Sequence, residues 1–203
     1  MEQLVLIVRV YTLDENTNFA PHVSGGLFSL ANCVWLIRKF VAEHPEQDRW
    51  IAGLTPARMG TRLAYLAFIT EIVSRQEYAQ RHGLYDNEAL RGRCDALYAD
   101  AHSEPVDNPW HTPRVDKEAI AKDHKCDKVL LSRRFFFFAG TYDYTENAPH
   151  GLELPTPYAA LLKKGAHGYG VPVQVPDEFL SWIEQQPKLT ELDTIYDFER
   201  QRR

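Results

Sequence analysis

The sequence predicts a mixed α+β fold, in which helices flank a curved mixed sheet or a small barrel. Apolar runs typical of strands alternate with stretches of helical periodicity, in the order strand, helix, strand, strand, helix, helix, strand, strand, helices. The strands outnumber the β-α-β crossover units that these helices allow. A doubly wound parallel sheet is therefore disfavoured, and the α+β class fits the pattern better.

Length and composition are those of an ordinary globular domain. The chain has 203 residues, of which 44% are hydrophobic and 25% charged. We expect one domain over residues 1–188, followed by a charged tail over 189–203 that can pack on the domain or on a second copy as a homodimer. No apolar run approaches the roughly 18 residues that span a bilayer, and no signal peptide is recognisable. We therefore expect a cytoplasmic protein without a membrane partner.

Charge and cysteine content narrow the function classes. The formal net charge is −5, whereas unspecific duplex binders usually carry a basic surplus. The segment Arg114–Arg134 is locally basic, and a solvated loop and strand edge is its favoured interpretation. Cys33, Cys94 and Cys126 are too few and too widely spaced for a disulfide framework. No metal-ligand motif occurs apart from the weak pair His124 and Cys126, so we predict neither a metal nor a cofactor.

The first predicted elements are a strand, a loop and a helix. Leu4–Tyr11 is dense in branched apolar residues and predicts a buried strand. The loop Asp14–Phe28 contains Pro21 and two glycines. Ser29 is a natural N-cap for the helix that follows, which we expect to end near His44 because Pro45 comes next. A loop that leads into a helix start directs free N–H groups at one place, where anions bind.

The middle of the chain predicts two strands and a capped helix. Asp48–Leu54 is the first strand, and Leu63–Val73, apolar on both faces, is predicted to be one long central strand. The polar loop Thr55–Arg62 connects them. Ser74 and Glu77 form a capping box that starts a helix reaching about His82.

The last third is predicted to mix helices, loops and two strands. Asn87–Ala101 favours helix, and a long irregular loop follows over Ser103–Pro113. The remaining elements are strands at Val129–Ser132 and Phe135–Ala139, a helix from Thr156 to Lys164, a flexible loop at Gly165–Gly170 and a helix from Asp177 to about Gln186.

Short blocks along most of the chain resemble the nucleotide modification associated domain 2 family. The blocks are Asn18–Pro21, Gly26, Ser29–Cys33, Ile37-Arg38, Asp48–Gly53, Leu63–Tyr65, Thr70-Glu71, Glu77-Tyr78, Asp107-Asn108, Val129–Ser132, Phe135–Gly140 and Gly165–Gly170. They cover roughly residues 5–170 in the expected order. His22, Val34-Trp35 and the last glycine block depart from the family pattern as we expect it.

The stretch Asp48–Tyr78 also looks like the middle of the PUA and EVE-like barrels. Such barrels hold a nucleobase, often a modified or flipped one, in an aromatic-lined pocket. The resemblance therefore implies a PUA/EVE-like fold that recognises a nucleotide or a modified nucleobase in DNA. It leaves open whether this domain binds a base, modifies one, or processes a free nucleotide.

A pocket for a base needs flat faces for stacking and polar groups for the base edge. Phe19 and Trp110 lie in predicted loops and are the best stacking faces, with Phe136 as a further aromatic. The other binding candidates are polar or cationic: Asn18, Ser29, Arg58, Asn108, His111 and Ser132. Most aromatics in a domain of this size belong to the core, and most such polar residues belong to turns or the solvated surface. We expect the Asn18–Ser29 loop and the Asp107–His111 loop to meet over one cavity.

The alternative function is an enzyme of base hypermodification or nucleotide processing. Cys33 would lie in the second turn of a helix that begins at Ser29, where the helix dipole lowers the pKa of a thiol. His22 or His167 would serve as its base. The competing interpretation is a core cysteine, which is a frequent type. A third function is an interaction subunit that docks through the charged tail.

Overall fold

The computed structural model describes residues 5–13, 20–46, 49–82, 95, 98–104, 117–139, 150–167 and 170–188, without the side chains of Ala119 and His167. The strands in chain order are β1 (Val5–Thr12), β2 (His22–Ser24), β3 (Leu27–Leu30), β4 (Trp50–Leu54), β5 (Leu63–Phe68), β6 (Glu71–Ser74), β7 (Lys128–Ser132), β8 (Arg134–Phe137) and β9 (Pro172–Pro176). The helices are α1 (Trp35–Glu43), α2 (Arg75–His82), α3 (Lys117–Asp123), α4 (Thr156–His167) and α5 (Glu178–Glu184), with a 3-10 turn at Ala57–Met59.

The contacts divide the chain into two compact units. The first unit holds a mixed five-stranded sheet in the order β8-β5-β4-β1-β9, where only β1 and β4 run parallel. The helices α4 and α5 pack on it through Leu162, Phe179 and Ile183, which join its apolar core. The mixed α+β class is confirmed. Among the described strands both sheets are open, and no closed barrel is found.

The second unit holds an antiparallel four-stranded sheet in the order β2-β3-β7-β6, together with α1, α2 and α3. Its small apolar core includes Ala31, Val73, Tyr78, Val129 and Leu131. Ser29 lies in β3, which pairs with a strand on each side. It lies opposite His22 of β2 and opposite Leu131 of β7.

The long strand predicted at Leu63–Val73 is wrong, because the run is two strands in two different sheets. The backbone N–H of Ile69 donates to the carbonyl of Arg49 in the first unit, and that of Thr70 donates to the carbonyl of Leu131 in the second. Thr70 and Glu71, which are polar and exposed, lie at this change of partner. They interrupt the apolar run and were the available signal for the break.

The flexible loop predicted at Gly165–Gly170 is also corrected, since α4 continues to His167. A Cβ added at Gly165 would lie 2.9 Å from Val173 Cγ1 and 3.1 Å from the carbonyl oxygen of Val171. The glycine thus allows close packing of the helix against β9 rather than flexibility. The strand β9 itself was not predicted, because its two prolines are unusual in a strand and suit an edge.

The basic segment at Arg114–Arg134 contains a helix, α3, that the sequence did not predict. Its described cationic side chains, Lys117, Lys122, Lys125, Lys128, Arg133 and Arg134, belong to exposed residues, as the solvated interpretation expects. Among the acidic residues of the segment, Asp123 is buried, with only 7% exposure at the end of the helix. Among the described residues, none of the helices has the length and apolar character that would let it cross a membrane.

Candidate functional site

Ser29 is not a helix N-cap. It lies in β3 and is fully buried, and the helix α1 begins only at Trp35. Pairing on both sides keeps the chain extended through Leu30, so the residues Ala31–Val34 must turn into the helix. Cys33 and Val34 make this turn with positive φ angles of 55° and 34°. A positive φ is costly for Val34 in particular, because valine is β-branched. Cys33 therefore precedes the helix instead of lying in its second turn, and it is exposed.

A buried ring of oxygen atoms surrounds Asp95. Ser29 Oγ donates to Asp95 Oδ2 at 2.6 Å, and the Tyr78 hydroxyl donates to Asp95 Oδ1 at 2.8 Å. The Tyr78 hydroxyl and Ser29 Oγ are 3.0 Å apart. Each hydroxyl has one proton, so an ionised Asp95 accepts one hydrogen bond from each of them. No proton is then left for a hydrogen bond between the two hydroxyls. Asn32 Nδ2 donates to the Asp95 backbone carbonyl at 2.6 Å, which fixes the residue from its other side.

A second buried cluster joins Arg38 to Asp123. The Arg38 guanidinium donates to the backbone carbonyls of Cys33 at 2.9 Å, Cys126 at 3.0 Å and Lys128 at 2.7 Å. Its Nη2 is 3.2 Å from Asp123 Oδ1. The same carboxylate oxygen accepts from the backbone N–H of Cys33 at 2.7 Å. This cluster therefore fixes the backbone of the turn between β3 and α1 at Cys33.

Arg75, the first residue of α2, is a second buried cation beside the same aspartate. Its Nη2 donates to the Asp123 backbone carbonyl at 2.8 Å and is 4.0 Å from Asp123 Oδ1. Its guanidinium carbon lies 4.2 Å from the centroid of the Tyr98 ring, a cation–π contact. Burial and the nearby Arg38 charge lower the pKa of Arg75. Burial and Asp123 raise the pKa of Tyr98 well above its usual range, so its hydroxyl stays protonated and donates to Asp123 Oδ2.

Two nitrogens of Arg75, Nε and Nη1, have no hydrogen-bond partner among the described residues, although the side chain is only 2% exposed. Buried polar groups of native proteins are nearly always hydrogen-bonded, and an exception calls for a water, an ion or a ligand. The three N–H groups on these two nitrogens are therefore buried without an acceptor among the described residues.

Arg75 lines a small cavity together with the ring of Asp95. The lining consists of Ala31, Asn32, Arg75, Tyr78, Asp95, Tyr98 and Val129, all of the second unit. The cavity has a volume of about 10 Å³. That volume suits roughly one water or one polar group of that size. The lining thus combines one buried cation with two nitrogens that lack a partner among the described residues, one buried carboxylate and two phenol rings.

The structure distributes the predicted binding residues between the two units. Ser29 belongs to the Asp95 ring, and Ser132 is buried in β7 of the same unit. Arg58 is exposed in the 3-10 turn of the first unit, where Phe136 belongs to the apolar core. Of the proposed catalytic histidines, His22 is 2% exposed in β2.

The other predicted site residues lie outside the described part of the chain. These are Asn18, Phe19, Asn108, Trp110, His111 and the side chain of His167. The meeting of the Asn18–Ser29 and Asp107–His111 loops over one cavity therefore stays a prediction.

Sequence reasoning missed Arg75, Asp95 and Asp123. The predicted N-cap at Ser74 is confirmed, since the backbone N–H of Glu77 donates to Ser74 Oγ at 3.1 Å. The Glu77 carboxylate pairs with Arg81, so the second half of the capping box is not formed among the described residues. Arg75 lies inside this motif. A charged residue that follows a buried strand and opens a helix was the available signal. Asp95 and Asp123 offered none, because both lie among charged neighbours that resemble a solvated surface.

Among the residues the structure describes, no group of three or more histidine, cysteine, aspartate or glutamate side chains is placed to hold a metal ion. No curated protein and no solved structure matches the chain. The family model described as nucleotide modification associated domain 2 matches residues 6–199, and so includes both sheets and the Arg75 cavity. This chain belongs to the nucleotide modification associated domain 2 family.

Proposed function

We propose that this protein binds a modified nucleobase, in DNA or as a nucleotide, and that the polar edge of the base reaches the cavity beside Arg75. The observation that carries the proposal is the buried guanidinium of Arg75, whose Nε and Nη1 lack partners among the described residues. A base edge offers the acceptors that such a group needs, and arginine is the side chain most often used for them. Membership of the family supports a role in nucleotide or DNA modification.

The balance of charge supports recognition of a base more than of the phosphate backbone. The net charge of −5 opposes unspecific duplex binding, which depends on neutralising phosphates. The lining of the cavity includes both the Arg75 cation and the Asp95 carboxylate. A neutral ligand that both accepts and donates hydrogen bonds suits this pair better than an anion does. The loop residues Asn18, Phe19, Asn108, Trp110 and His111 remain part of the proposal as stacking faces and edge contacts.

Fluorescence titration with short oligonucleotides tests the proposal. We expect strands with a hypermodified base to bind more tightly than the same strands with plain bases. Arg75→Gln should weaken the modified complex about tenfold to a hundredfold, because hydrogen bonds to a charged group contribute roughly 1.5–3 kcal/mol. Arg81→Gln is the matched control: it removes the same charge from the same helix, but from a side chain that is 42% exposed and paired with glutamates.

Equal binding of every oligonucleotide, or binding of none, would contradict the proposal. Thermal unfolding of both variants separates loss of binding from loss of structure. The affinities of the two arginine variants must also differ. If both variants bind the modified strand equally weakly, the loss reflects the change in net charge and not a contact of Arg75.

An enzyme that uses Cys33 is the second candidate function. The thiol is exposed and reduced, and its residue has a positive φ in the turn beside Asn32, which lines the cavity. We expect iodoacetamide to modify Cys33 in the folded protein and to leave the buried Cys126 unmodified, as peptide mass spectrometry would report. A nucleotide that binds beside the cavity should slow this modification. If modification proceeds at the same rate with every nucleotide, and Cys33→Ala retains full function, the thiol version is wrong.

A further inference from the structure

The cavity beside Arg75 is too small for a whole base but has room for one polar group. Its volume of about 10 Å³ corresponds to roughly one water. A planar base is many times larger, so only a substituent can enter while the base itself stays outside. The size of the cavity therefore limits the part of a modified base that can bind in it to one small substituent.

The hydrogen-bonding groups of the lining define that substituent further. Arg75 offers N–H donors from Nε and Nη1 that have no acceptor among the described residues. Asp95 offers carboxylate oxygens that already accept from Ser29 and Tyr78, and each oxygen has a further lone pair. A group that enters must accept from the guanidinium and is bound best if it also donates to the carboxylate.

We propose that the cavity binds the hydroxyl of a base that carries a hydroxymethyl group, an inference that rests on the proposed function. A hydroxyl is a single polar atom of the size of water, and it both accepts and donates. A methyl group does neither, and it would leave the buried guanidinium unpaired while displacing water. A carboxylate would accept from Arg75 but would face the buried negative charge of Asp95, and a glycosylated hydroxyl exceeds the space.

Discrimination of this kind can be large, because a site built to hydrogen-bond a hydroxyl is left with unpaired polar groups when the hydroxyl is missing. An ordered water is the competing occupant, since it meets the same donors and acceptors. The two differ in one measurable respect. If the cavity binds the hydroxyl of the base, the affinity for the hydroxymethyl base exceeds that for the methyl base. If the cavity only holds a structural water, the two affinities are equal.

The test measures binding of the full chain to one oligonucleotide sequence in which a single pyrimidine is varied. The variants are cytosine, 5-methylcytosine, 5-hydroxymethylcytosine, 5-carboxylcytosine and glucosylated 5-hydroxymethylcytosine, with thymine and 5-hydroxymethyluracil as the second series. We expect the hydroxymethyl base to bind at least about tenfold more tightly than the methyl base in one series. Arg75→Gln should reduce that ratio to about one, while Arg81→Gln should leave it unchanged.

Equal affinity for hydroxymethyl and methyl bases, with both above the plain base, would overturn this inference and leave the proposed function standing. A preference for the carboxyl or glucosylated base would have the same meaning. Absence of binding to all of the oligonucleotides would remove the proposed function and the inference together. If Arg75→Gln does not fold, the hydroxymethyl-to-methyl ratio of the unmodified chain decides the question by itself.

Discussion

Replacement of Arg38 by leucine is expected to lower the free energy of unfolding by about 3–5 kcal/mol, since removing one member of a buried ion pair leaves the other uncompensated. The Arg38 side chain is fully buried, and leucine fills part of its volume without any donor. The backbone carbonyls of Cys33, Cys126 and Lys128 would all lose a hydrogen bond. Urea unfolding followed by both tryptophan fluorescence and circular dichroism measures the change.

Arg81→Leu provides the comparison for Arg38. Arg81 has 42% of its side chain exposed and pairs with Glu71 and Glu77 at the surface, where ion pairs contribute at most about 1 kcal/mol. Its loss should therefore have a small effect. Similar free energies of unfolding for the two leucine variants would mean that the buried cluster around Arg38 contributes no more than a surface pair does.

Asp123 is the second position at which we expect a large loss, again about 3–5 kcal/mol for Asp123→Ala. Its carboxylate is the counter-charge of Arg38 and lies 4.0 Å from the Arg75 guanidinium. Alanine leaves these two cations buried without it, and it also removes the acceptor of the Cys33 N–H and of the Tyr98 hydroxyl. Urea unfolding measures the loss, and the turn before α1 should loosen with it.

Asp123→Asn separates charge from hydrogen bonding at this position. The amide oxygen can still accept from Cys33, and the Tyr98 hydroxyl can accept from the amide nitrogen. A loss that persists in Asp123→Asn is therefore due to charge. Glu118→Gln, on the same helix but 75% exposed at its side chain, is the control and should change the free energy of unfolding by less than about 1 kcal/mol. If Asp123→Ala matches this control, the buried ion pairs do not stabilise the unit.

Local patterns predicted most of the individual elements. The branched apolar run near the N-terminus is a strand, the proline after His44 follows the end of a helix, and Ser74 caps the start of a helix. Each of these elements depends on interactions between residues that are close in the sequence, so the sequence alone is enough to predict it. The α+β class followed from the order of such elements.

The errors occurred where a residue's partner is distant in the chain. Ser29 has the chemistry of an N-cap, but pairing with β2 and β7 holds it in a strand. The apolar run from Leu63 to Val73 divides because its two halves meet different strands. Propensity describes what a segment favours alone, and burial against a partner outweighs it.

By itself, the sequence determined the family, the class of fold and the position of most helices and strands, because these depend on periodicity and local capping. Only the tertiary structure decided the site. Ser29 meets Asp95 across 66 residues, Arg38 meets Asp123 across 85, and Arg75 meets Asp123 across 48. The sequence does not show whether a charged side chain is exposed to water or buried in the protein. The two partnerless nitrogens of Arg75 become informative only because folding buries them away from water.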